Sequence, residues 1–76
     1  MKTRSTDEYK NMTQYDACAY AEGFSNDTPT DIQLAAAWQY IFDNQLWRSL
    51  QGWYGRVLFN NLIPAGMIDT SPLTEQ

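Results

Sequence analysis

The stretch Thr28–Asp43, TPTDIQLAAAWQYIFD, decides the fold. Thr28 is a good N-cap, and Pro29 then falls at the first helical position, where its missing N–H costs nothing. Asp31 lies at the third position, close to the positive end of the helix dipole. Leu34, Ala37, Trp38, Ile41 and Phe42 recur on one side at helical spacing, with Gln33, Ala36, Gln39 and Asp43 on the other. The pattern predicts an amphipathic helix over 29–43, with Trp38 central to its apolar stripe.

Downstream, Asp43, Asn44 and Gln45 form a short turn by composition. A third apolar-periodic segment starts at Leu46. Leu46, Leu50, Trp53, Tyr54 and Val57 share one face, widened by Trp47 and Leu58. Arg48, Gly52, Gly55 and Phe59 share the opposite one. The spacing predicts a helix over 46–62, closed by Pro64 in IPAGM, with Met67 and Ile68 folding back as an apolar plug. Upstream, Thr13 followed three residues later by Asp16 resembles a capping box, and Gly23 is suited to a left-handed helix end. A short helix over 14–22 follows, with Phe24 as the accompanying apolar contact. Residues 1–12 are polar without a period and read as a flexible arm. Residues 69–76 read as a flexible polar tail. The expectation is a small all-α three-helix bundle over 13–68, its second and third helices forming an antiparallel hairpin.

The chain has 76 residues, one cysteine and no histidine, with a net charge of −4. A domain this small has a thin stability margin. Cys18 has no partner for an internal disulfide, and a zinc site is disfavoured. Aromatic packing and association remain as compensation, and three Trp, three Phe and five Tyr supply the first. The acidic balance argues against nucleic-acid binding. No apolar run approaches the roughly 20 residues of a membrane span. The start MKTRSTDEYK has no apolar core after its charges, so no signal peptide is expected, and a reducing cytoplasm is the expected setting.

Catalytic constellations are missing. Cys18 reads as a small buried apolar residue and Ser49 has no triad partner. Asp16, Glu22, Asp27, Asp31 and Asp43 read as caps and solvated charges. The glycines fit no phosphate-binding loop, and Asn26, Asp27 and Asp31 in SNDTPTD lack the spacing of a calcium loop. These observations predict a non-enzymatic protein with neither metal nor cofactor.

What remains to explain is Leu50–Arg56, LQGWYGR. Each glycine inside a helix costs roughly 1 kcal/mol relative to alanine. Residues three apart share a helix surface, so Gly52 and Gly55 make a notch flanked by Arg48 and Phe59. The notch is filled internally by the first helix or Phe24, or receives a partner, or marks a kink. Arg56 is either a rim ion pair or a bidentate anchor to a partner. Trp47, at the edge of its stripe, is the tryptophan expected to be exposed, either as a binding hot spot beside Arg48 or as a cap on the bundle's end. The candidate partner-binding residues are Trp47, Arg48, Gln51, Gly52, Gly55, Arg56 and Phe59.

Leu50–Arg56 resembles a motif of small uncharacterised tailed-bacteriophage proteins, Leu-Gln-Gly-(aromatic or His)-Tyr-Gly-Arg. In that pattern a Tyr-x-x-Gly helix end precedes it, matched by Tyr20 and Gly23, and a Leu-Ile with a later glycine follows, matched by Leu62, Ile63 and Gly66. The likeness covers roughly residues 18–68. The chain departs from the pattern at Gln45, where the family has glycine, at Arg48, where it has Trp, and at Pro64. The resemblance implies a phage protein made in a bacterial host, and no activity. A phage accessory protein that binds and modulates a host or phage protein is the expected function. The alternatives are a self-associating structural module, dimerising through the glycine notch, and a helix-turn-helix nucleic-acid binder.

Overall fold

The computed structural model describes residues 3–23 and 28–71. All regular structure among them is helical, forming a small all-α bundle. A 3₁₀ turn at Thr3–Ser5 leads into α1 (Asp7–Lys10), followed by α2 (Gln14–Glu22) and α3 (Asp31–Asp43). A second 3₁₀ turn at Leu46–Arg48 precedes α4 (Gly52–Val57), which continues as a π-wound turn through Leu58–Leu62. Phe24 and Asp27 and their expected roles lie outside the described residues.

Local chemistry sets the ends of α2. Thr13 accepts a hydrogen bond from the Asp16 amide at 3.1 Å, and Gly23 ends the helix with φ +79°. Only a residue without a Cβ adopts that conformation freely. The boundaries match the sequence pattern.

α3 starts two residues later than expected. Its cap is Thr30, whose hydroxyl accepts from the Gln33 amide at 3.1 Å while the Gln33 side chain accepts from the Thr30 amide at 2.8 Å. This reciprocal box satisfies two amide donors, one more than a Thr28 cap would. Pro29 therefore precedes the helix. Ala36, Ala37, Trp38, Gln39 and Ile41 are all buried, so α3 is covered on both sides, its polar side included.

The cover on that polar side is the segment expected to be a flexible arm. Thr3 and Met12 are buried, and residues 3–12 pack along α3. The tail's described residues, 69–71, lie against α3 as well, through Asp69. On α3's apolar side sit Tyr54 and Leu58 of the last helix, both fully buried, and Ile68. Met67, expected beside Ile68 in the plug, stays exposed at 53 %. Trp38 packs edge-on to Trp53 and tilted against Tyr54, with centroids 6.1 and 5.7 Å apart.

The third helix is not continuous over 46–62. The Leu46 carbonyl accepts from both the Ser49 and Leu50 amides and from the Ser49 hydroxyl, which closes a turn there. A serine that bonds its own local backbone competes with helix continuation. Gln51 then takes an extended ψ of 150°, and the helix restarts at Gly52. Gly52 is thus a first-turn residue and carries no interior-glycine penalty. Beyond Val57 the Ile63 amide bonds to the Leu58 carbonyl, a π spacing.

Candidate protein-docking groove

The groove is built by the reversal after α3. Gln45 adopts φ 55°, the left-handed region, which turns the chain back. The Leu46–Arg48 turn then lays Trp47 against α4. A Cβ added at Gly55 would meet Trp47 Cε3 at 3.6 Å. The indole also meets the Phe59 ring edge-on, 4.8 Å between centroids, and Phe59 in turn faces Phe42 at 6.4 Å. Trp47 is therefore half-buried rather than exposed, and its Nε1 is buried with no acceptor. Among the described residues, Trp47 occupies the Gly55 side of the notch, and the helix over 14–22 does not.

The Gly52 side is open to solvent. Among the described residues, a Cβ there would meet only the Arg56 guanidinium, 3.3 Å from Nη1, the mobile end of a long side chain. Arg48 and Arg56 are both exposed. The Arg48 guanidinium lies 5.9 Å from the Trp47 ring centre and donates to Gln45 Oε1 at 3.0 Å. Arg56 makes no hydrogen bond or ion pair among the described residues.

These side chains line an open groove of about 490 Å³, together with Leu50 and Asn60. Five of the seven sequence-predicted residues meet there: Trp47, Arg48, Gly52, Gly55 and Arg56. Gln51 is exposed at the start of α4 outside the lining, and Phe59, 44 % exposed, buttresses Trp47 from behind.

A second cluster escaped the sequence reading. Asp43, with its side chain 1 % exposed, accepts from Arg4 Nε at 2.8 Å, Arg4 Nη2 at 2.5 Å, the Tyr9 hydroxyl at 2.7 Å and Gln39 Nε2 at 3.0 Å. Gln39, fully buried, also pairs with both backbone polar groups of Asp69, at 2.9 and 2.8 Å. Arg4 reaches the Asp69 carbonyl and the Ser71 hydroxyl. The cluster joins both ends of the described chain to α3. The Asp43 bond, offset in part by burial, raises the Arg4 pKa. Burial, with the Asp43 bond second, pushes the Tyr9 phenol up to about 12. Asp43 is a paired buried acid rather than a solvated one. The spacing of Gln39 and Asp43, four apart on one helix face, was the available signal; nothing in the aperiodic N-terminal segment marks Arg4 as their partner.

Burial, then a hydrogen bond donated to Glu22, raises the Tyr54 phenol pKa as well. Cys18 adjoins that hydroxyl and is half-buried, more open than expected. Among the described residues no helix is long and apolar enough to cross a membrane. No protein-family profile, curated protein or solved structure matches the chain.

Proposed function

We propose that this chain is a non-enzymatic small bacteriophage protein that binds a phage or host protein through the Trp47–Asn60 groove and so modulates it. The observation that carries this reading is the groove's polar inventory. Arg48 and Arg56 are exposed donors with no carboxylate partner among the described residues, in a molecule whose net charge is −4. Their lining neighbours among the described residues add an indole, a leucine, two glycines and the Asn60 carboxamide, and no histidine, thiol or carboxylate. Such a surface binds rather than reacts, and it suits a carboxylate-bearing protein segment. A six-residue α4 carrying one arginine favours a protein partner over DNA. The resemblance of Leu50–Arg56 to small phage proteins supports a setting in the bacterial cytoplasm.

The test is affinity capture from bacterial lysate, comparing wild type with an Arg48→Glu/Arg56→Glu variant. Both side chains are exposed, so circular dichroism should show an unchanged fold. A partner retained by wild type and reduced at least about tenfold by the variant supports the reading. Equal retention by both removes the groove as the docking site.

A further inference from the structure

Tyr15, on the first turn of α2, is 82 % exposed, the most exposed large hydrophobic side chain among the described residues. Beside it, the exposed Asp16 carboxylate has no hydrogen bond or ion pair among them. Asp16 shares a shallow acidic cleft with Asp7 and Glu8, and Lys10 on α1 offsets one of those charges. A tyrosine ring needs a flat floor and benefits from flanking cations. The groove offers Gly52 as floor and Arg48 and Arg56 at its sides.

Resting on the reading of the groove as a docking site, we infer that its occupant includes a second copy of this chain, whose Tyr15 ring lies over Gly52 while Asp16 pairs with Arg56. The contact joins unlike surfaces, so the pair either closes reciprocally or continues head to tail. Its small, charge-dependent footprint makes it a weak association, reached at high concentration and weakened by salt. Self-association would then compete with an outside partner for the same groove.

Sedimentation of the full chain over a wide concentration range, at low and high salt, tests this. Wild type should associate, and Tyr15→Ser, Asp16→Arg and Arg56→Glu should each weaken association at least tenfold. All three sites are exposed, and circular dichroism checks that the variants fold. An equimolar mixture of Asp16→Arg with Arg56→Glu should recover association, because the reversed knob meets the reversed groove. A monomeric wild type at every concentration overturns the inference. So does association indifferent to Tyr15→Ser, or a mixture that fails to recover. Tyr15→Ser leaves the groove intact and should still capture an outside partner. Loss of self-association with partner capture retained therefore separates this inference from the reading on which it rests.

Discussion

Asp43 ends α3 in the sequence as an ordinary polar residue, yet four donated hydrogen bonds converge on its carboxylate. Gln39 extends that cluster to the Asp69 backbone. Its replacement by alanine leaves buried donors and acceptors unmatched, each a penalty of about 1–3 kcal/mol. Gln39→Ala should therefore lower stability by about 2–4 kcal/mol in urea unfolding, whereas a surface glutamine would change it by less than about 0.5 kcal/mol. Tyr9 supplies a pH signature. Its folded pKa, about 12, lies above the ordinary 10.0, so the protonated phenol is favoured by folding. That contribution is present below about pH 10 and is lost as pH rises toward about 12. In alkaline melting curves Tyr9→Phe should lose stability less steeply than wild type across that window; parallel curves would contradict the assignment. At this scale the sequence was partly legible. Trp38 sits in the core as its stripe required, because apolar periodicity reports burial. Gln39 and Asp43 read as a solvated face because periodicity does not report pairing with distant residues.

The elements follow their caps more closely than their periodicity. Thr13 and Gly23 set α2, and a reciprocal Thr30–Gln33 box sets α3 two residues past the first candidate cap. The long third helix was overestimated for a definable reason. Its apolar spacing survives a break, because a 3₁₀ turn followed by a new helix keeps Leu46, Leu50 and Trp53 on the core side. The break instead follows from Ser49, which bonds back to the Leu46 carbonyl, and from the extended Gln51. Gln45 sits just before this segment at φ 55°, a conformation that glycine adopts without the Cβ penalty. Gln45→Gly should raise stability by about 0.5–1 kcal/mol in chemical denaturation; a loss would mean that the Gln45–Arg48 bond outweighs backbone strain. Gly55→Ala separates packing need from function. Its Cβ would make ordinary contact with Trp47, so helix propensity should dominate. Stability should rise by up to about 1 kcal/mol, measured the same way. A clear destabilisation would show that Trp47 needs the glycine.

Across the whole molecule, α3 is the axis, and residues 3–12 and 69–71 are its cover. The sequence conveys the helical class and three principal segments, because those depend on local pattern. It does not convey the docking of residues 3–12, because one arginine and one tyrosine in an aperiodic stretch carry it. Deleting residues 1–12 leaves the Asp43 charge buried without Arg4 or Tyr9, a penalty of about 3–5 kcal/mol for breaking such a pair. In a chain of 76 residues that is a large share of total stability. The truncated protein should melt far below wild type, whereas a freely moving arm would leave the transition unchanged. The candidate groove was legible in composition, since the motif and its flanks name five of its lining residues. Its depth was not, because the return of Trp47 onto Gly55 depends on the turn at Gln45.

The most direct measurement on the groove is a Gly52→Leu variant assayed in parallel for urea stability and for capture of a partner from bacterial lysate. A Cβ at this exposed first-turn position would meet, among the described residues, only the Arg56 guanidinium, so a leucine there should extend over the groove rather than into the core. Stability within about 0.5 kcal/mol of wild type together with loss of capture is the predicted result. Capture at the wild-type level by a stably folded Gly52→Leu protein would contradict the assignment of this groove as the docking site.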